Sequence, residues 1–128
     1  DKVADLIADD RIVAVILTGS EGAGMKVAEA AGRALKKVVL ELGGSDPFIV
    51  MPSADIDEAA KQAVTARVQN TGQSCICAKR MIVHTDVYDT FFEKFSAGMK
   101  AVVAGDPFDP DSTMGPLSSE EQRETVLG

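Results

Sequence analysis

Hydrophobic residues in the first third of the chain follow a strand, helix, strand order. Residues 12–17 form a continuous apolar run, which is typical of a strand covered on both faces of a parallel sheet. Residues 22–37 carry small and apolar side chains at helical spacing, and Lys36 and Lys37 supply favourable charge at the predicted helix end. A second apolar run covers residues 38–42 and stops at two glycines. The pattern predicts two adjacent parallel strands joined by a right-handed crossover.

The middle of the chain continues the alternation of strands and helices. Residues 48–51 are a third strand candidate, and Asp55 has the chemistry of an N-cap residue for the helix that follows. Residues 70–72 are turn-forming, so we expect residues 73–77 to lie on a loop before a strand at 80–83.

The last part of the chain predicts an amphipathic helix and then a long loop. A stripe of large side chains runs along residues 87–103, and we expect Phe91, Phe92 and Phe95 in it to pack in the core rather than to bind a ligand. Residues 105–119 are rich in Pro, Gly, Asp and Ser, which indicates a loop, and Ser118 or Ser119 begins another helix. The stripe comprises Tyr88, Phe91, Phe92, Phe95 and Met99.

Composition and charge narrow the classes of protein and partner. The chain has 128 residues, of which 45% are hydrophobic and 26% charged, as in ordinary globular proteins. A net charge of -7 repels phosphate backbones and anionic lipid, so nucleic acid and membrane surfaces are poor partners. No apolar run approaches the roughly 20 residues that span a bilayer, and the acidic N-terminal segment is unlike a signal peptide. Two cysteines do not make a disulfide framework, so we expect a cytoplasmic protein.

The turn after the first strand is a candidate anion site. Gly19 and Ser20 lie where free backbone N–H groups and the positive helix end favour a nucleotide phosphate. A tight turn, with Gly24 allowing close helix packing, explains the same residues equally well. Met25 stands where a P-loop needs its lysine, and the segment does not match G-x-G-x-x-G. An ATPase is therefore disfavoured.

Glu41 and Cys75 are the candidates for catalysis. Glu41 ends an apolar strand before two glycines, and burial there would suit it to act as a general base, although strand-end glutamates more commonly reach water. Cys75 lies among small and polar loop residues, as reactive thiolates do, although cysteine is more often a small buried hydrophobe. Cys77 follows in C-x-C spacing, and His84 is the only histidine. A zinc site would lack ligands, so we expect no metal. A Cys-His hydrolase would lack a base near Cys75.

Three short segments stand out together along the chain: Leu17-Thr18-Gly19-Ser20 with Gly24, Leu40-Glu41-Leu42-Gly43-Gly44, and Asn70-Thr71-Gly72-Gln73-Ser74-Cys75. In this order they resemble the aldehyde dehydrogenase family. Gly-Asp-Pro at 105–107 and Met-Gly-Pro at 114–116 are similar to two further landmarks of that family. The resemblance covers essentially the whole chain. Within the family, residues 41–48 and the pair Cys75 and Cys77 resemble the succinate-semialdehyde dehydrogenase branch.

The resemblance implies a fold, a cofactor and a reaction. It implies an α/β chain in which residues 1–44 end a Rossmann-like cofactor-binding domain and residues 45–128 begin the catalytic domain. Cys75 would attack a small-molecule aldehyde, and its backbone N–H would help to hold the oxyanion. Glu41 would face Cys75 and deprotonate the water that hydrolyses the thioester. The implied residues for NAD or NADP are Gly19, Ser20, Gly24, Leu42 and Gly43.

Two further expectations concern Cys77 and the length of the whole protein. Neighbours in C-x-C spacing pair only with strain, and strained disulfides are easily reduced, so Cys77 is either a redox partner of Cys75 or a small core hydrophobe. Family members are several times longer, so we expect an internal piece of a homo-oligomeric enzyme, a dimer or tetramer. Two alternatives stay open: a non-catalytic nucleotide-binding or thiol redox module, and a thiol hydrolase that needs no NAD(P).

Overall fold

The computed structural model describes residues 2–128, which form two compact units that divide between Gly44 and Ser45. Each unit contains one two-stranded parallel sheet with helices, so the α/β class predicted from the sequence is confirmed. The role of each unit as part of a cofactor-binding or a catalytic domain stays a prediction. The elements are α1 Lys2–Ala8, β1 Ala14–Thr18, α2 Glu21–Arg33, β2 Lys37–Glu41, β3 Asp46–Val50, α3 Ile56–Val68, β4 Ala78–Val83, α4 Tyr88–Lys100 and α5 Glu120–Leu127, with 3-10 turns at Gln69–Gly72 and Thr85–Val87.

The first unit contains the predicted strand, helix, strand arrangement. Strands β1 and β2 are parallel and adjacent, and α2 connects them, which confirms the expectation from the apolar runs. Only one sheet face is covered within the described residues, because Ile16 is 72% exposed and Val39 52% exposed on the other face. The expectation of two covered faces is therefore not met here, since an apolar run does not specify what packs on its second face. The covered face packs Val15, Leu17, Val38 and Leu40 against Ile7, Val27 and Ala31.

Helix α2 ends earlier than the sequence predicts. It stops at Arg33 rather than residue 37, because Leu35 adopts a left-handed conformation with φ 53°. The backbone N–H of Lys36 donates to the Ala31 carbonyl at 2.9 Å and so closes the last turn of α2, but the ammonium group of Lys36 binds elsewhere. Its Nζ donates to the carbonyl oxygens of Ile7 and Asp9, each at 2.6 Å, and so binds the end of α1.

The second unit is built around β3, β4, α3 and α4. Strands β3 and β4 are parallel, with a register irregularity between Asp46 and Pro47. Asp55 caps α3 as predicted, since its carboxylate accepts a hydrogen bond of 3.1 Å from the Glu58 N–H. The fully buried residues of this core are Val50, Ala60, Ala63 and Phe91.

The aromatic stripe of α4 is only partly buried. Phe91 is buried and Phe95 packs beside it, with ring centroids 5.7 Å apart. Tyr88 and Phe92 instead stack on each other at 5.9 Å and are 49% and 55% exposed. The prediction that the phenylalanines of this stripe pack in the core is therefore wrong for Phe92, because helical spacing does not specify which positions a neighbouring element covers.

The segment after α4 is a loop, as predicted. It makes one isolated bridge between Ala104 and Met114, and Ser119 then caps α5 by accepting a hydrogen bond of 3.1 Å from the Gln122 N–H. Within residues 2–128, no helix is long and apolar enough to cross a membrane.

Candidate active site

The turn between β1 and α2 forms a capped helix N-terminus. Ser20 is the N-cap residue, and its Oγ accepts a hydrogen bond of 3.3 Å from the Ala23 N–H. The Gly19 N–H is not free for a phosphate, because it donates to the Glu41 carbonyl at 3.0 Å and continues the strand ladder. The first N–H groups of the helix, on Glu21 and Gly22, have no acceptor within the helix, as at any helix start. The role of Gly19 and Ser20 in binding a nucleotide phosphate stays a prediction.

Gly24 and Leu42 are in close contact in the first unit. A Cβ atom at Gly24 would lie 2.8 Å from both Leu42 methyl carbons, which is closer than atoms of this kind approach. The absence of a side chain at Gly24 thus lets α2 reach the residue that follows β2, as the close-packing interpretation expects. Gly43 has open space around it, and a Cβ there would meet no atom within 4 Å.

Glu41 is the last residue of β2, and its side chain is exposed. The burial that would suit it to act as a general base is not found among the described residues. Within the first unit, the helices cover Val38 and Leu40 of β2 and not Glu41. Its catalytic role therefore stays a prediction from the family resemblance.

Cys75 is an exposed free thiol on the loop between the Gln69–Gly72 turn and β4, as predicted. The turn before this loop contains three consecutive left-handed residues: Asn70, Thr71 and Gly72, with φ 48°, 59° and 74°. This conformation is uncommon for a β-branched residue such as Thr71, and strained backbone of this kind is concentrated at functional sites.

Cys77 differs from Cys75 in its environment. It is a free thiol with no exposed surface, and its Sγ donates to the Gln69 carbonyl at 3.2 Å. This geometry favours the interpretation of Cys77 as a small hydrophobic core residue. The alternative role as a redox partner of Cys75 stays a prediction.

Hydrogen bonds attach the Cys75 loop to the segment before α5. The Thr71 hydroxyl lies 3.2 Å from the Gly115 carbonyl oxygen and 3.3 Å from that of Pro116. Gln73 accepts from the Ser118 N–H at 2.9 Å, while its side-chain amide donates back across the turn. The sequence pattern did not predict these contacts of Thr71 and Gln73, although both residues stand inside the motif that resembles the family.

Lys79 makes the second attachment of the same loop. Its Nζ lies 3.1 Å from the Ser74 carbonyl oxygen and 3.0 Å from that of Cys75. The Cys77 N–H also donates to the Ser74 carbonyl at 3.1 Å. No local sequence signal identified Lys79, because a lysine in a strand has no preference for a particular carbonyl group. Among residues 2–128, no group of three or more His, Cys, Asp or Glu side chains is placed to hold a metal ion.

Comparison with known proteins decides the family. The sequence model of the aldehyde dehydrogenase family matches residues 1–128. The chain belongs to the aldehyde dehydrogenase family. The resemblance found in the sequence motifs is thereby confirmed.

Relatives within the family are similar in both sequence and fold. The chain is 62% identical over 124 residues, or 97% of its length, to an NADP-dependent succinate-semialdehyde dehydrogenase of Mycobacterium avium. It superposes with a TM-score of 0.93 and 46% identity, over 99% of its length, on the succinic semialdehyde dehydrogenase of Streptococcus pyogenes in complex with NADP+. Lactaldehyde dehydrogenase of Escherichia coli gives a TM-score of 0.91 at 40% identity over 96% of this chain. The predicted aldehyde dehydrogenase fold is confirmed by these structures.

The chain is much shorter than these relatives. It spans 26% of the length of the Mycobacterium avium enzyme, 28% of the Streptococcus pyogenes chain and 26% of the Escherichia coli chain.

Proposed function

We propose that this chain is part of a longer NAD(P)-dependent enzyme that oxidises an aldehyde to its carboxylic acid. The observation that carries the proposal is the exposed Cys75 thiol on a loop held by hydrogen bonds from both sides, within a chain of this family. Succinate semialdehyde is the proposed substrate, because the relative from Mycobacterium avium acts on it and is 62% identical. NADP is favoured over NAD for the same reason.

The two units have different proposed roles. Residues 1–44 contribute to the cofactor-binding domain, and residues 45–128 contribute the nucleophile loop of the catalytic domain. We further propose that the whole enzyme is a cytoplasmic homo-oligomer, a dimer or tetramer, which light scattering on the full-length protein tests.

The N-terminus of α2 fits the pyrophosphate of such a cofactor. The N–H groups of Glu21 and Gly22 are open to an anion, and the Ser20 hydroxyl keeps its own hydrogen to donate because its oxygen is the acceptor in the cap. Leu42, drawn close by Gly24, supplies an apolar surface, and the open space at Gly43 admits a group against the backbone. A bound NAD(P) would supply the hydride acceptor for the oxidation of the thiohemiacetal on Cys75 to a thioester.

The residues of the chain perform the remaining chemistry in the proposed mechanism. The Cys75 thiolate forms a bond to the aldehyde carbon, and the carbonyl oxygen becomes an oxyanion that accepts from the Cys75 backbone N–H. After oxidation, Glu41 takes a proton from a water molecule, whose oxygen attacks the thioester carbon. The carbon–sulfur bond then breaks, which releases the carboxylic acid and returns the Cys75 sulfur.

Substitution of Cys75 and Glu41 in the full-length enzyme tests these roles. Cys75→Ser should abolish aldehyde oxidation while NADP binding, measured by fluorescence titration, is retained; Cys77→Ala is the matched control and should keep turnover. Glu41→Gln should give a burst of reduced cofactor followed by stalled turnover, because the amide resembles the carboxylate in shape but cannot accept the proton. Glu93→Gln, at an exposed carboxylate of α4, is its control.

Three results would contradict the proposal. Retained oxidation in Cys75→Ser would move the nucleophile elsewhere, and an unchanged steady-state rate in Glu41→Gln would make Glu41 an ordinary strand-end carboxylate. Ester cleavage that needs no NAD(P), without any aldehyde oxidation, would support a thiol hydrolase instead.

A further inference from the structure

We propose that Lys79 is a positioning residue for the nucleophile, because its ammonium group holds both peptide groups that flank Cys75. The inference rests on the proposed role of Cys75. Lys79 Nζ lies 3.1 Å from the Ser74 carbonyl oxygen and 3.0 Å from the Cys75 carbonyl oxygen, so one cation binds two consecutive carbonyl groups. A merely solvated lysine would hold neither.

The first of these bonds orients the proposed oxyanion donor. The Ser74 carbonyl and the Cys75 N–H belong to the same planar peptide group, and no described residue has a cis peptide bond. The N–H of Cys75 therefore points away from the side on which the Ser74 carbonyl accepts its bonds. That carbonyl accepts from both Lys79 Nζ and the Cys77 N–H, so the direction of the Cys75 N–H is defined by two donors.

The second bond defines the direction of the thiol. With the peptide groups before and after its Cα both held, Cys75 has little freedom in either backbone dihedral angle, and its Cβ–Sγ bond leaves the loop from a constant position. Cys75 itself is exposed, so packing does not provide this restraint.

The charge of Lys79 adds to the effect of its geometry. Hydrogen bonds from an ammonium group are stronger than those from neutral donors, and hydrogen bonds along a connected chain polarise one another. A cation on the Ser74 carbonyl therefore makes the Cys75 N–H of the same peptide group a better donor to a developing oxyanion.

Neighbouring residues support this assignment. Lys79 lies in β4 directly after the buried Ala78, so its half-buried stem starts from a rigid strand. The adjacent Arg80 is committed elsewhere, since its Nε donates to the Ser45 carbonyl at 2.8 Å beside β3. Arg80 thus does not replace Lys79 at the loop.

Three variants of the full-length enzyme test the proposal. Lys79→Met keeps an apolar stem of similar length but removes the donors and the charge, and Lys79→Arg keeps both. Lys100→Met, at an exposed lysine of α4, is the matched control. Complete loss of one oxyanion donor costs about 100-fold or more in kcat, so a loosened donor in Lys79→Met should lower kcat by about 10-fold. The KM for cofactor should stay unchanged, Lys79→Arg should recover part of the kcat, and Lys100→Met should behave as the parent.

Alkylation of Cys75 by iodoacetamide without cofactor gives an independent measurement. The rate of alkylation should fall in Lys79→Met and partly recover in Lys79→Arg.

If Cys75→Ser kept turnover, the proposed function would fail, whereas an inactive Cys75→Ser with a normal Lys79→Met would overturn only the role of Lys79. A Lys79→Met that changes KM or thermal stability but not kcat would also overturn it. Should Lys79→Met not fold, Lys79→Gln replaces it, and an unchanged kcat there counts equally against the proposal.

Discussion

The contact between Gly24 and Leu42 predicts that one added methyl group will disturb the proposed cofactor site. In Gly24→Ala the new Cβ would lie 2.8 Å from both Leu42 methyl carbons. Since the overlap involves the end of a side chain and not backbone, we expect Leu42 to move and α2 to shift slightly. Gly32→Ala is the matched control, because Gly32 lies in the same helix and a Cβ there would meet nothing within 4 Å.

The two substitutions differ only in the overlap. Replacing glycine by alanine inside a helix stabilises the folded state by about 1 kcal/mol, and this gain applies to both variants. Forcing an extra methyl group into packed surroundings costs about 1–3 kcal/mol, and this cost applies to Gly24→Ala alone. The free energy of unfolding should therefore rise by about 1 kcal/mol in Gly32→Ala. In Gly24→Ala the free energy of unfolding should stay unchanged or fall by up to about 2 kcal/mol.

Urea unfolding and NADP titration of the full-length protein measure both consequences. Gly24→Ala should weaken NADP binding, and Gly32→Ala should leave it unchanged. In the double variant Gly24→Ala with Leu42→Ala, the smaller residue 42 makes room for the new methyl group, so the two destabilisations should be less than additive. The reasoning is refuted if Gly24→Ala stabilises the protein as much as Gly32→Ala, or if the two changes in the double variant simply add.

Two further predictions concern Leu35 and Cys77. Leu35→Gly should raise the free energy of unfolding by about 1 kcal/mol, because a left-handed conformation costs a non-glycine residue roughly 1–2 kcal/mol and glycine recovers most of it. Leu35→Ala should change little, since the leucine is 95% exposed; equal gains in both variants would exclude the backbone explanation. If Cys77 is a redox partner, peroxide should inactivate the enzyme and dithiothreitol should restore its activity. The peptide that contains both cysteines should lose the mass of about two hydrogens on oxidation. The same reversible inactivation in Cys77→Ala would instead indicate a sulfenic acid on Cys75.

The sequence alone determined the features that depend on near neighbours. The parallel pair β1 and β2, the Asp55 cap of α3 and the loop position of Cys75 were all predicted and found. The cap and the loop depend on residues within a few positions of the chain. The strand pair follows from two apolar runs joined by one amphipathic helix, because such a unit forms adjacent parallel strands. The family was also determined by sequence, because its motifs are short, ordered and specific.

Only the tertiary structure decided which distant groups meet. The charge of Lys36 was expected to stabilise its own helix, but its ammonium group binds the carbonyl groups of Ile7 and Asp9 at the end of α1, nearly thirty residues earlier. Glu41 was considered as a buried base and is exposed, while Phe92 was expected in the core and lies at the surface. The bonds of Gln73 to Ser118 and of Lys79 to the Cys75 loop likewise followed no local pattern. A long polar side chain reaches whichever unpaired carbonyl or N–H the packed elements bring near it, and burial depends on which elements cover a face, so both are properties of the assembled fold.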